Sequence, residues 1–460
     1  MGNIKNILKK IAISISAVAV LFSISGLSTS AAPAVTISSP TNTSTLANGG
    51  SVPVSGTAPA NTRVKILLDN TQVADVAVNG SGQWSTILTN IAKGAHTLKA
   101  VNSEPGLHYY ATVGSPSQVH SINPLTGAID TRAGFPIAVS GLAPVVVTDS
   151  NGKYAYVSGF VFDPGNIQRV DLETGAAQQV TSYPSSAAVN AGAFTSDNTK
   201  YYAPNDDGTI TVIDVASNTI LQTITTGAST HNSVVNIYGT LYATDASTGL
   251  VYEINQTNNS VTNFKPACAG GGDAVAVIPD YEDKNILWVS CSLSSIAKLD
   301  RSTKAVLMTA NTPSNLAGIA KVPYTNKVFA SSPNTSAMYV IDSNSGALLQ
   351  TINLPAQSFA PVPSSDGSRI LLPTPGGSFS GNDAVIINTS DYSLTNLTLD
   401  GPSLAMFAGP DVTAEATVQF TVSEVLANTG ENISSISLIA GAAAVLSISA
   451  LIYRKRNFSK

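Results

Sequence analysis

"NIQRVDLETG" (Asn166–Gly175) and "TITVIDVASN" (Thr209–Asn218) follow one pattern: apolar residues in alternation, then an Asp, then a short turn. Alternation with period two is the signature of a β-strand, and Asp or Asn side chains favour the turn that follows by hydrogen-bonding nearby backbone. The pattern returns as "QVHSINPLTG" around Asn123, "LVYEINQTNN" around Asn255, "SIAKLDRSTK" around Asp300, "MYVIDSNSG" around Asp342 and "AVIINTSDY" around Asn388. Positions 123, 171, 214, 255, 300, 342 and 388 are separated by 48, 43, 41, 45, 42 and 46 residues. A near-constant period of about 40–50 residues predicts four-stranded propeller blades, here seven of them.

Most of these units have a precursor. "APVVVTDSNGKYAYVSG" (Ala143–Gly159), "AGAFTSDNTKYYAPN" (Ala191–Asn205) and "FAPVPSSDGSRILLPT" (Phe359–Thr374) each set apolar strands on either side of a Ser/Asp/Asn/Gly turn. That is hairpin chemistry. A blade therefore reads as strand a, hairpin turn, strand b, loop, strand c, turn, strand d. The Asp or Asn at the end of strand c is expected to hold the c–d turn rather than to do catalysis. The first unit begins near Leu107 and has no strand a, while a spare apolar piece, "SLAMFAGPD" (Ser403–Asp411), follows the seventh. It is expected to complete blade 1 and close the ring, giving a propeller over 107–411 with no raw sheet edge at its seam. "YAYVSG" and "RILLPT" make these units resemble the surface-layer-type propeller repeats called YVTN or lactonase-like.

Residues 33–101 carry a different pattern of short strands and turns, as expected of a β-sandwich. "GSGQWS" (Gly80–Ser85), with Trp84, and "GAHTLKAV" (Gly94–Val101) resemble bacterial Ig-like surface domains. That resemblance implies a last strand of the form Ala-Thr-x-x-Phe-Thr-Val soon afterwards. The matching stretch, "AEATVQFTVS" (Ala414–Ser423), lies past the propeller. Either the propeller is inserted between the last two strands of the sandwich, or 414–423 is a spacer or an outer propeller strand. The fold class expected is all-β: a seven-bladed propeller plus an Ig-like sandwich, between a signal peptide and a transmembrane helix.

The ends speak to location. Residues 1–31 place Lys5, Lys9 and Lys10 before an uncharged, largely apolar run, Ile11 to Leu27, and then Thr29-Ser30-Ala31. This reads as a secretory signal peptide cut near Ala31, the other reading being a retained anchor. At the far end a linker (424–432) precedes an uncharged stretch, 433–453, long enough to span a bilayer, and a basic tail, 454–460. Leu426-Ala427-Asn428-Thr429-Gly430, the apolar span and the basic stop together resemble the cell-wall sorting signal of Gram-positive surface proteins, in the form with Ala in place of Pro. The resemblance implies that a sortase attacks the Thr429 carbonyl and passes the protein to peptidoglycan. A single-pass membrane protein with its domains outside is the alternative. Either way the chain ends on the cell surface.

Composition excludes several functions. Only 11% of residues are charged and the net charge is −5, so no basic surface for nucleic acid is expected. With two cysteines, Cys268 and Cys291, thiolate metal clusters are not expected, and outside the cell the pair is read as a disulfide, with free thiols or a nucleophilic Cys as the alternative. His96, His108, His120 and His231 show no ligand spacing. Asp163, Asp206, Asp207, Asp245 and Asp383 fall on b–c loops and are the candidate ligands of a central funnel, against the plainer reading of solvated turn residues. No nucleophile elbow, phosphate loop or His-Glu-x-x-His motif is present, and no cofactor is expected. Three classes follow: a wall-attached binding or adhesion protein for an extracellular protein or glycan, a lactonase-like or other propeller hydrolase, and a surface-coat component. The first is favoured, since one fold hosts many functions and only the ends of the chain speak directly.

Overall fold

A computed structural model describes residues 35–47, 51–60, 62–112, 117–131, 134–142, 145–159, 163, 165–183, 191–229, 231–245, 247–374, 383–401, 403, 406–409 and 411–423. The expected signal peptide, sorting peptide, 433–453 span and basic tail lie outside these residues. Among the described residues no helix is long and apolar enough to cross a membrane. The chain divides into two compact units: one holds 35–58, 64–101 and the strand segment from Glu415, the other 59–63 and 102–414.

The first unit is a β-sandwich. One sheet orders Thr36–Ser39, Val52–Thr57 and Gln83–Leu88; the other orders Ser44–Ala47, Val412–Ser423, Gly94–Glu104, Arg63–Leu68 and Thr71–Ala77. Its strands alternate as half-buried strands must: Val52 and Val54 point in while Pro53 is exposed, and Val64 and Ile66 are buried between less buried neighbours. Trp84, Leu98, Phe420 and Val422 complete one core. Strand Val412–Ser423 pairs in parallel with Ser44–Ala47, in the register Ser44 to Phe420 and Leu46 to Val422. It is also bonded to Gly94–Glu104, the strand after which the chain leaves the sandwich. The second unit thus occupies the chain between two neighbouring strands of one sheet.

The second unit is a seven-bladed propeller, each blade a four-stranded antiparallel sheet. In order a to d, blade 2 is Val145–Thr148, Tyr154–Ser158, Ile167–Asp171 and Ala177–Gln179; blade 3 is Ala193–Phe194, Lys200–Pro204, Thr209–Asp214 and Thr219–Thr225; blade 4 is Ser233–Ile237, Thr240–Asp245, Leu250–Asn255 and Val261–Phe264. Blade 5 is Ala274–Pro279, Ile286–Cys291, Ser295–Asp300 and Val306–Asn311; blade 6 is Gly318–Lys321, Lys327–Ser331, Ala337–Asp342 and Leu348–Asn353; blade 7 is Val362–Pro363, Arg369–Pro373, Asp383–Asn388 and Leu394–Thr398. Blade 1 takes strands b, c and d from His108–Thr112, Ser117–Ile122 and Ile137–Val139, and strand a from Met406–Ala408 at the other end of the unit. Met406 pairs with Tyr110 and Ala408 with His108, which closes the ring. Strands b and c are nearly continuous buried runs because neighbouring blades cover both faces, whereas the outer d strands are exposed along most of their length.

The seven-fold signal has one chemical cause. Asn123, Asp171, Asp214, Asn255, Asp300, Asp342 and Asn388 each accept, through the side chain, at least one backbone N–H two or three residues on. The residue four positions after each has left-handed backbone: Gly127, Gly175, Asn218, Asn259, Lys304, Gly346 and Tyr392. Its N–H closes the turn onto the carbonyl of the Asp or Asn. These residues are structural, as their side-chain bonding shows.

Candidate ligand channel

Strand a is the inner edge of every blade, so seven a strands enclose a central cavity of about 1070 Å³. Its wall is largely apolar, with Val147, Phe194, Val277, Ile319, Val362 and Phe407 among the residues facing it. Each a strand runs from the d–a face of the ring to the a–b face, and b–c loops share the d–a face.

The a–b mouth is aromatic and polar. Tyr238 and Tyr281 line the cavity there and are 48% and 49% exposed. Tyr238 and Gly239 form the two-residue turn between strands a and b of blade 4, with φ of 49° and 83°. Two positive φ angles define a type I′ hairpin, where Asn-Gly is usual and a bulky first residue is strained. The Tyr238 hydroxyl donates to the Asp280 carbonyl of blade 5 at 2.5 Å, and the Arg301 guanidinium lies 5.7 Å from its ring centroid. Tyr281 follows Asp280, whose buried carboxylate accepts the Trp288 indole N–H at 3.0 Å and the backbone N–H groups of Glu282 and Asp283. On the other side, Glu282 is bound at 2.8 Å by Lys321, a buried cation that also donates to the Val322 and Thr325 carbonyls. The residues on both sides of Tyr281 are therefore tied down while its ring meets water. Asp149, Ser150, Asn198, Asn236 and Asp411 line the same cavity.

The five acids singled out in the sequence lie elsewhere. By topology all five belong to b–c connections on the d–a face, in blades 2, 3, 4 and 7, and none lines the cavity. Asp163 accepts from Leu142 N and Asn166 Nδ2 at 3.2 and 2.9 Å. Asp207 accepts from Thr209 N and Oγ1 at 3.0 and 2.6 Å, and Asp206 beside it is exposed. Asp245 is buried and accepts from Ser229 N, Ser247 N and Ser247 Oγ at 3.0, 2.9 and 2.6 Å. Burial acts to raise its carboxyl, but these hydrogen bonds outweigh it and hold the group below the usual carboxylate range. Asp383 is exposed at the start of strand c of blade 7. The structure spends three of the five on their own loops and assembles no funnel ring from them. Among the described residues, no three His, Cys, Asp or Glu side chains are grouped to hold a metal ion.

Cys268, in the d–a connection before blade 5, and Cys291, at the end of its strand b, form a disulfide with Cα atoms 5.9 Å apart. His108, His120 and His231 are buried in the propeller, and burial lowers the pKa of each, His108 to about 4. His96, in the sandwich, is the opposite case. Its Nδ1 is 2.7 Å from Asp69 Oδ2 and its Nε2 2.9 Å from the Ala92 carbonyl, so both nitrogens face acceptors and the pKa is raised, chiefly by Asp69. Tyr238 and Tyr281 were not singled out in the sequence. One signal for Tyr238 was readable: "IYGT" (Ile237–Thr240) has the length of a hairpin turn but puts Tyr where such a turn takes Asn.

Residues 33–100 match the family model described as a bacterial Ig domain. Such domains are typical of extracellular or surface proteins. No curated protein matches the chain. Among solved structures, a chain of the "Crystal Structure of Mitotic Checkpoint Complex" aligns at 16% identity over 58% of this chain and 82% of its own, with a TM-score of 0.47. The "Structure of U3-55K" aligns at 15% identity over 60% and 91%, with a TM-score of 0.48. The "Crystal structure of RRP9 WD40 repeats" aligns at 15% identity over 60% and 90%, with a TM-score of 0.47.

Proposed function

We propose that this chain is a cell-surface binding protein acting in adhesion, attached to the wall through Leu426–Gly430, with the propeller as its ligand-binding part. The observation that carries the reading is the position of strand Val412–Ser423. It is bonded on both sides within the five-stranded sheet, and only residues 424 and 425 separate it from Leu426. A chain linked to the wall at Thr429 would pass any pull on the propeller into a central strand, which is held by two ladders rather than one. The Ig-type match over 33–100 supports an extracellular setting. Mass spectrometry of wall-digested cells tests the anchoring. A C-terminal peptide ending at Thr429 and joined to a wall fragment is expected; an intact tail through Lys460, found only in membrane fractions, would refute sortase attachment.

A further inference from the structure

We infer that the a–b mouth of the channel is a carbohydrate site that receives the end of a neutral pyranose chain, with Tyr238 and Tyr281 as its stacking surfaces. The inference rests on the binding-protein reading above and names the ligand class. Three observations support it. Tyr238 occupies a left-handed turn position, φ 49°, that would be unstrained with Asn, and its ring is still half exposed. Tyr392, at φ 61°, differs in packing on a second ring, Phe329, as well as on the Lys327 ammonium, whereas Tyr238 has the Arg301 guanidinium at 5.7 Å and lies open at the mouth of the channel. Next, Tyr281 is half exposed on the neighbouring turn, although Asp280 and Glu282 on either side are anchored by Tyr238, Trp288 and Lys321. Fixed, water-facing rings are what a pyranose needs, because one face of the sugar presents C–H groups to an aromatic plane at little entropic cost to the protein.

The third observation is the polar setting. One Asn198 N–H goes to Ser150 Oγ at 2.8 Å, and the amide carries a second for a ligand hydroxyl. Asp411 and the buried Asp149 line the same cavity and Arg301 lies beside Tyr238, so the charge at the mouth leans negative and disfavours an anionic polymer but not a neutral one. The mouth opens into a central channel of about 1070 Å³ rather than a linear groove, which suits a chain end more than an extended peptide lying across the surface.

Isothermal titration of the full chain in detergent with cellotetraose, maltotetraose and the tetramer of N-acetylglucosamine is the test, with a polyproline peptide run beside them. At least one sugar is expected to bind. Tyr281→Ala and Tyr238→Asn are each expected to weaken it about tenfold. Tyr281→Phe, which keeps the ring, should bind within about threefold of wild type, since the ring face supplies the contact. Tyr238→Asn relaxes the turn but gives up the hydroxyl bond to Asp280, so its Tm is read beside its binding, while Tyr281→Ala, which leaves the bonds of Asp280 and Glu282 in place, separates lost contact from lost fold. No sugar binding, unchanged binding by both variants, or binding of polyproline in place of sugar would each overturn the assignment. A parallel assay of whole-cell attachment separates the two levels. If the double variant attaches as wild type does, only the site is wrong; if wild type attaches to no cell surface, the binding-protein reading itself fails.

Discussion

Acidification from pH 7 to pH 4 should loosen the propeller, and His108 should carry a large part of the effect. His108 is 1% exposed on strand b of blade 1 and pairs with Ala408 of the strand that closes the ring. Burial lowers its pKa to about 4, against about 6.5 in an unfolded chain. Between those values the unfolded chain binds a proton that the folded chain does not, so stability falls as pH falls. The contribution is fully present above about pH 6.5 and gone near pH 4; about 2.5 pKa units at about 1.4 kcal/mol each amount to roughly 3 kcal/mol. His120 and His231, also lowered by burial although Asp400 and Asp245 act to raise them, add in the same direction. The assay is urea unfolding at pH 7.5, 5.5 and 4.0, comparing His108→Gln with the parent. The chain has two tryptophans, and in a Trp84→Phe background Trp288 in blade 5 reports the propeller alone. Carboxylates also titrate in this range, so the difference between the two proteins is the quantity that counts. The glutamine variant should start less stable and lose about 3 kcal/mol less between pH 7.5 and 4.0. Parallel pH profiles for the two proteins would refute the assignment.

Three further outcomes are expected. Reducing the Cys268–Cys291 bond, which spans 23 residues of sequence, should destabilise the propeller by roughly 3 kcal/mol in the chain-entropy account; an unchanged Tm in reductant would contradict it. Asp214→Ala removes the acceptor for Ser217 N and Oγ, both at 2.7 Å, and should cost about 1–2 kcal/mol, whereas Asp383→Ala at an exposed position should stay within about 0.5 kcal/mol; equal urea midpoints for the two would argue against the turn-holding role. In the sandwich, the raised pKa of His96 means that its contribution is full below about pH 6.5 and lost as pH rises through the folded value. The exposed Asp69 partner limits it to about 1 kcal/mol; Asp69→Asn should move the NMR titration of His96 downward, and an unmoved curve would remove Asp69 as the cause.

Much of the fold was legible because one side-chain job recurs. Every c–d turn needs an acceptor at the end of strand c, and only Asp and Asn fill that place here, so chemistry marked the blades even where the strands varied. The extent of strand a was less legible than its place. In blades 3 and 7, where the hairpin itself was read, the strand is two residues long, Ala193–Phe194 and Val362–Pro363, too short to show a period. The closing strand could still be placed, because blade 1 lacked a strand and Ser403–Asp411 was left over. Phe420 was legible in another way: Ala414–Ser423 has the form of a missing Ig-like strand, and its side chain lies in the core with Trp84 and Leu98. The candidate site read less well. Choosing acids by type found residues that satisfy their own loops, because in a protein so poor in charge a carboxylate is most often consumed by nearby N–H groups.

The two faces of the ring explain why residue type led to the opposite face from the tyrosines. Chain direction puts b–c and d–a connections together, so a sequence survey of loops gathers Asp163, Asp206, Asp207, Asp245, Asp383 and the disulfide on one side. The opposite face is made of a–b turns, as short as Tyr238-Gly239 in blade 4. A short turn offers few residues to notice and little freedom to move. That is an advantage for a site that relies on ring faces, because orientation is set before the ligand arrives. The frame around Tyr281 shows how far this goes. The indole of Trp288 and the hydroxyl of Tyr238 meet the same residue, Asp280, and Lys321 reaches across from blade 6 to Glu282. Blades 4, 5 and 6 thereby fix one turn between them. A packing role alone would account for Asp280, Glu282 and Lys321, which are largely satisfied within the protein. It does not account for holding an aromatic ring in water between two anchored neighbours, and it is that residual exposure, not the acids, which singles out this mouth of the channel.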